Sequence, residues 1–583
     1  MKELRYVNKY FLKYKFRYLT GVVICILSNF LNLQIPDIIK NSINAAEDYY
    51  NGVITDKELV QADLLENIII ILALAFLAGG LTFLTRQMII VTSRYVEYDL
   101  KNEIYNQYQK LSVTFYKQNK TGDLMNRISE DVSKVRMYFG PAVMYSLNMI
   151  VSFVVTFILM IKTDAKLTLY TLIPLPILSL SIYFLSRLIN KKTTIVQEYL
   201  SKLTTVAQES FSGIRIIKSF AIDKYNIQQF EKVAENSRQK NIELNLVQAL
   251  FFPIMILLIG ISNVLVIYVG GIRYLDGFIT LGDIAKFIMY VNILTWPVAI
   301  LGWVTSIIQQ AEASQKRINE FLNETPDILN PSDASFDLKG NIDFKNVSYT
   351  YPDTGITALD NINLHIEQGE TLAILGKTGS GKTTLINLIA RLITPQKGNI
   401  TIHGASIDEI NLNCIRNNIG FVPQDAFLFS DSISNNIRFG KEDATEEEIM
   451  QAAKDAYIHH NIERFKDKYQ TYVGERGVTL SGGQKQRISI ARAIIKNPEI
   501  LIFDDCLSAV DTETEEIILN NLQKITQDKT TVIVSHRISS IKHADYIIVL
   551  DNGKIIQEGK HANLVLTEGF YKDLYQQQLI QES

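Results

Sequence analysis

Cysteine is rare in this sequence: three among 583 residues, Cys25, Cys414 and Cys506, at unrelated spacings. That excludes a disulfide-stapled scaffold and a cysteine-ligated zinc site. There is no excess of basic charge either. Lysine and arginine number 58 against 61 aspartates and glutamates, a formal charge of −3, so the chain is no dedicated nucleic-acid binder. Charged residues are few, 20% against 47% hydrophobic, and a chain that apolar is not disordered. Histidine is absent from positions 1–364, all seven lying at His365 or beyond. The length leaves room for about three to five ordinary domains.

What fills the first half is long apolar runs. Six occur, at 18–39, 68–91, 141–161, 167–188, 246–269 and 284–308. Each has roughly 20 or more mostly apolar residues, enough at about 1.5 Å per residue to cross a bilayer core of about 30 Å. No soluble domain of this size hides six such helices, so they are read as membrane spans. Lys2, Arg5, Lys9, Lys13, Lys15 and Arg17 precede the first run, and an acidic stretch with Glu47, Asp48, Asp56, Glu58 and Asp63 follows it. The positive-inside rule places the N-terminus in the cytoplasm, and an even number of spans returns the C-terminal half there.

Charge is missing from the middle of every run. Arg86, Arg187 and Lys286 lie towards span ends, where they can snorkel, and Asp37 is near the outer end of the first. An ion-driven carrier usually keeps a carboxylate or histidine at the midplane, so the energy source is expected elsewhere in the chain. Scattered polar and aromatic residues, among them Asn29, Asn148, Asn263, Asn292, Trp296 and Trp303, suit an amphipathic or apolar compound, cationic ones included, rather than a small anion. Each taken singly is more often an interhelical contact.

The connections at 92–140 and 189–245 are charged and almost free of proline. They read as helices that continue tens of ångströms beyond the bilayer, with short breaks at 115–122 and 211–220 where force could be passed on. A polar stretch at 323–335 then ends the apolar half. Beyond it, short β-branched runs such as 371–375, 420–423, 500–504 and 531–535 alternate with helices, the pattern of an α/β domain with a largely parallel sheet.

The run 376–384 reads Gly-Lys-Thr-Gly-Ser-Gly-Lys-Thr-Thr, a G-x-x-x-x-G-K-[ST] motif between a strand and a helix. Gly376, Thr378, Gly379, Ser380, Gly381, Lys382, Thr383 and Thr384 are the candidate ATP cradle. Glycines turn backbone N–H groups onto phosphate oxygens, and the helix N-terminus adds its positive end. Lys382 is expected at the β- and γ-phosphates and Thr383 on Mg²⁺. Asp504 ends the apolar strand 501–504 and suits the Mg²⁺ shell. Ser481, Gly482, Gly483 and Gln484 open a second anion-ready helix. One triphosphate has no use for two cradles in one chain, so this one is read as closing on a nucleotide held by another subunit.

Leu480 to Gln484, just ahead of the aspartate strand, resembles the signature of ABC ATPases, and nearly the whole chain resembles ABC exporter half-transporters. That resemblance implies an all-α polytopic membrane domain of six long transmembrane helices (1–322), a linker (323–340) and an α/β P-loop ABC ATPase domain (341–583). It implies that Tyr351 stacks on adenine and that Gln424 touches Mg²⁺ or water and the membrane domain. It further implies that His536 meets the γ-phosphate, that 471–477 is an X-loop and 508–511 a D-loop, and that the breaks at 115–122 and 211–220 are coupling helices. Where the family usually has a glutamate after the strand aspartate, this chain has Asp505. The shorter carboxylate resembles the impaired half of heterodimeric multidrug exporters. The implied function is ATP-driven export of amphipathic or hydrophobic compounds across the cytoplasmic membrane, using ATP and Mg²⁺. The implied partners are a second half-transporter and membrane lipids, with no nucleic acid. A homodimer with two slow sites, a lipid flippase or peptide exporter, and an ABC regulator of a partner membrane protein remain open.

Overall fold

The computed structural model describes residues 2–331, 334, 336–474, 480–507 and 510–582. The chain divides into two compact units, Met1–Gln109 with Thr121–Glu324, and Lys110–Lys120 with Thr325–Ser583.

The first unit is helical. Among the described residues, six long apolar helical stretches cover Lys15–Tyr50, Lys57–Lys110, Thr121–Thr163, Ala165–Ser212, Asp223–Leu275 and Leu281–Leu322. At 54 residues the second is long enough to cross a bilayer and continue well beyond it. Little of the apolar surface is buried within the unit. Phe76 is 87% and Leu72 64% exposed, as side chains facing lipid are. The inner core, around Leu178, Phe287, Tyr290 and Leu294, is fully buried.

Several charges within this unit are paired between helices. Asp164 caps the helix Ala165–Leu172 by accepting from the Leu167 N–H at 2.7 Å, and it also accepts from Arg273 Nε at 3.0 Å. Lys40 pairs with Asp283 at 2.9 Å. Lys286, expected to snorkel, is instead only 5% exposed and pairs with Asp37. The first and sixth spans are close enough there for an ion pair to form between them. At the N-terminus, Lys9 and Lys13 pair with Glu103 and Asp99 of the second helix.

Among its described residues the second unit carries ten strands: β1 (Ile342–Thr350), β2 (Thr357–Ile366), β3 (Thr371–Gly376), β4 (Lys397–Ile402), β5 (Ala405–Ser406), β6 (Ile419–Val422), β7 (Ile500–Asp504), β8 (Thr530–Val534), β9 (Tyr546–Asp551) and β10 (Lys554–Gly559). They form an antiparallel sheet of order β2-β1-β4-β5 and a six-stranded sheet of order β10-β9-β3-β8-β7-β6. In the larger sheet β9, β3, β8, β7 and β6 run parallel and β10 is antiparallel to β9. The parallel core strands are covered on both faces, which is why β3 and β7 read as unbroken apolar runs. Helix Lys382–Ile389 buries Leu385, Ile386, Leu388 and Ile389 in the core shared by the two sheets. The short helix Val113–Gln118 belongs to this unit, where Ser112 Oγ donates to Asp327 Oδ2 at 2.7 Å.

A P-loop at the head of the central strand

β3 lies between β8 and β9, so the turn after Gly376 emerges at the carboxyl edge of a parallel sheet, the place where open α/β sheets bind ligands. The turn closes into helix Lys382–Ile389 through Gly381 at φ +106. A Cβ there would overlap the Ala358 carbonyl oxygen, so only glycine fits.

The side chains of the turn are held ready for an anion. Lys382 Nζ donates to the Gly376 and Lys377 carbonyls at 2.8 and 2.9 Å. Burial pulls its pKa below the usual lysine value, against the opposing charges of Asp505 and Asp504. A phosphate is a better acceptor for that ammonium than two neutral carbonyls. Ser380 is buried and its Oγ has no hydrogen-bond partner among the described residues, an orphan of the kind a ligand oxygen satisfies. Thr383 Oγ1 donates to Asp504 Oδ2 at 3.1 Å. A hydroxyl and a carboxylate this close make an all-oxygen donor set, which suits a hard cation such as Mg²⁺.

Asp504 and Asp505 both have raised pKa values, burial being the main cause. Each carboxylate tolerates its charge better when a cation is near. Asp505 stands at φ +45, in the left-handed region, and its N–H donates to the Val534 carbonyl at 2.9 Å. His536, two residues beyond β8, has its pKa lowered by burial and then by the charge of Lys382, with Asp505 opposing. Its neighbour Arg537 donates to Glu515 Oε2 at 2.7 Å, and Glu515 is also bonded by Ser540, so the segment carrying His536 is tied to helix Thr512–Ile525. Tyr351 closes the other side, its hydroxyl 2.9 Å from Thr384 Oγ1.

Two groups of expected site residues stand apart from this cluster. The Gln424 side chain is exposed, and among the described residues it makes no hydrogen bond to Thr383 or Asp504; its carbonyl accepts from Gln486 Nε2 at 3.3 Å. Ser481 and Gln484 form a capping box on helix Gly482–Ile494, leaving Ser481 and Gly482 exposed, with no hydrogen bond to residues 376–384 among those described. An exposed, pre-formed helix start of this kind is open to an anion from outside the chain. Residues 475–477 of the expected X-loop, and Ser508 and Ala509 of the expected D-loop, lie outside the described residues; Asp511 caps the helix that follows, accepting from the Thr514 N–H at 2.9 Å. One neighbour was not foreseen: Lys117 Nζ lies 5.2 Å from the Tyr351 ring centre. Nothing in the local pattern around either residue signals it.

Residues 18–298 match the family profile of the ABC transporter transmembrane region, and residues 359–508 match that of the ABC transporter. The chain is 34% identical to the probable multidrug resistance ABC transporter ATP-binding/permease protein YheI of Bacillus subtilis, over 99% of this chain and 97% of the relative. It is 37% identical to the multidrug resistance-like ATP-binding protein MdlA of Buchnera aphidicola, over 100% and 99%. The chain belongs to the ABC transporter family. The fold agrees. A structure of a bacterial Atm1-family ABC exporter with ATP bound superposes with a TM-score of 0.80 over 97% of this chain and 98% of that one, at 24% identity. The chain is thus a multi-pass membrane protein with an ABC ATPase fused to its membrane region, and it couples ATP hydrolysis to export. ABC exporters act as dimers.

Proposed function

We propose that this chain is one half of a multidrug-type exporter of amphipathic or hydrophobic compounds in the cytoplasmic membrane, and that it pairs with a different half-transporter. Residues 1–322 are the membrane domain, 323–340 the linker and 341–583 the ATPase, with the N-terminus and the ATPase in the cytoplasm. The observation that carries the reading is the P-loop donor set in a six-span chain: Lys382 resting on two carbonyls, Ser380 Oγ without a partner, and Thr383 beside Asp504. The similarity to relatives described as multidrug resistance transporters supports the multidrug class.

In this reading Tyr351 stacks on adenine, and the 376–384 backbone with Ser380 and Lys382 holds the phosphates. Thr383 and Asp504 would hold Mg²⁺, with Gln424 as a further ligand. When bound, the ion neutralises charge on the β- and γ-oxygens. Asp505 orients and polarises the attacking water, His536 contacts the γ-phosphate, and Ser481–Gln484 closes on the partner's nucleotide. Binding of ATP across the seam favours the closed pair of ATPase domains through differential affinity, and that closure drives the membrane helices. Asp505 is one methylene, about 1.5 Å, shorter than glutamate, and a misplacement of about 1 Å can cost roughly 10²-fold in rate. This supports a slow site here and a faster one on a distinct partner.

The test is ATP-dependent uptake of amphipathic dyes into inside-out vesicles containing this chain alone or with a candidate partner. Accumulation by the pair, exceeding that of the chain alone, is expected. Robust uptake by this chain alone would refute the heterodimer, and ATP turnover without any accumulated solute would refute export.

A further inference from the structure

A cavity of about 270 Å³ opens among the first, second, third and sixth spans. Its walls include Asn29, Arg86, Asn148 and Trp296. Of the described lining residues Arg86 alone is charged. Among the described residues its guanidinium has no hydrogen-bond, ion-pair or ring partner. That sets it apart from Lys40, Arg273 and Lys286 of the same unit, each held by an aspartate. A guanidinium next to an apolar slab needs an acceptor.

The cavity itself does not supply one with negative charge. The Ser28 hydroxyl is bonded to the Ala78 carbonyl and Thr82 at 3.0 and 2.8 Å. Thr85 donates to Leu81 at 3.0 Å, and Asn29 Nδ2 donates to Asn148 Oδ1 at 2.9 Å. The hydroxyls of Ser28, Thr82 and Thr85 are therefore occupied with the helices, while the five N–H donors of Arg86 stay available. Aromatic surface lies beside them: Trp296 is 68% exposed, and Tyr145 packs edge-on to Trp303 at 5.4 Å. A planar guanidinium recognises a carboxylate, sulfonate or phosphate in two-pronged fashion, and the aromatic walls suit an apolar body.

The geometry points to a binding site for the anionic head of an amphipathic compound, with Arg86 as its counter-ion and the Trp296 wall against its apolar part. It names a substrate class for the export reading and rests on that reading. The sequence alone places Arg86 near a span end, free to snorkel, and favours compounds other than small anions. An amphiphile with an anionic head is the class the cavity selects.

The test uses the full transporter in phosphatidylcholine vesicles, with its partner chain where one is required. ATPase stimulation and uptake are measured for three aromatic dyes: anilinonaphthalene sulfonate (anionic), Nile red (neutral) and ethidium (cationic). In Arg86→Gln the half-saturating concentration of the anion rises at least about tenfold relative to Nile red in the same sample, the loss expected for hydrogen bonds to a charged group; Arg86→Lys restores part of it. An equal change for anion and neutral dye would mean a structural role and overturn the site. Response to ethidium or Nile red with none to the anion in the wild type would overturn the site and leave export standing. No uptake of any dye would overturn both. Adding phosphatidylglycerol distinguishes the sources of the head group. Competition with the anion in the wild type but not in Arg86→Gln assigns the site to lipid, and absence of competition assigns it to solutes; either result supports the anion site.

Discussion

Lys117 Nζ stands 5.2 Å from the centre of the Tyr351 ring, while the tyrosine hydroxyl is 2.9 Å from Thr384 Oγ1. The ring proposed to stack on adenine is thus fixed at its edge by the P-loop helix and over its face by the short helix Val113–Gln118. An exposed cation–π contact contributes about 0.5–1 kcal/mol. Lys117→Ala should therefore raise the KM for ATP about two- to fivefold and leave kcat within about twofold. Steady-state ATPase assays decide it; an unchanged KM would mean that Lys117 does not help hold the ring.

The pairing of Lys286 with Asp37 yields a second prediction. The lysine is almost wholly buried and also donates to Thr163 Oγ1 at 3.1 Å. Lys286→Met strands the Asp37 carboxylate, which keeps some exposure, and should destabilise the membrane unit by about 1–3 kcal/mol. Replacing both residues, Lys286→Met with Asp37→Leu, should recover most of that loss. Thermal melting in detergent of the two single variants and the double variant closes the cycle; strictly additive losses would show that the pair does not act as a unit.

The spans and the P-loop are legible because each rests on local regularity: uninterrupted apolar length in one case, fixed glycine and lysine spacing in the other. Lys286 shows where this ends. Its position in the run suggests a snorkelling side chain, but its burial depends on the first span packing close to the sixth, which no local pattern records. Lys117 beside Tyr351 is illegible for the same reason, since residues 110–120 leave the helical unit to join the α/β unit. The left-handed backbone at Asp505 could not be read either, because β8 sets it by accepting the Asp505 N–H.

His561 is expected to make the ATPase unit less stable in acid. Its Nδ1 is 2.7 Å from the Tyr571 hydroxyl. Burial, then the charges of Lys542 and His543, hold its pKa below the usual 6.5. The folded state thus favours the neutral ring, while the unfolded chain takes up its proton near 6.5. The stability contribution is complete above that pH and is lost progressively as pH falls from there through the lower folded value. His460 and His536 are lowered in the same direction, so the contribution of His561 appears as a difference. Between about pH 7.5 and 5.5 the melting temperature of the wild type should fall further than that of His561→Gln; parallel profiles from scanning calorimetry would exclude the effect.

Asp505→Glu is the substitution that bears most directly on the slow-site reading. It returns one methylene to the carboxylate proposed to polarise the attacking water, so turnover at this chain's site should rise by about 10- to 100-fold. It also carries a cost. Asp505 sits at φ +45, a conformation that aspartate tolerates better than glutamate. The gain in rate should therefore come with a lower melting temperature, by a fraction of the roughly 1–2 kcal/mol that a left-handed residue costs. Single-turnover hydrolysis, with the partner's site inactivated, isolates the rate, and melting of the same sample reads the strain. A faster but less stable variant fits both statements. An unchanged rate would show that the length of this carboxylate is not what limits hydrolysis, and the argument for a distinct, faster partner would lose its physical basis.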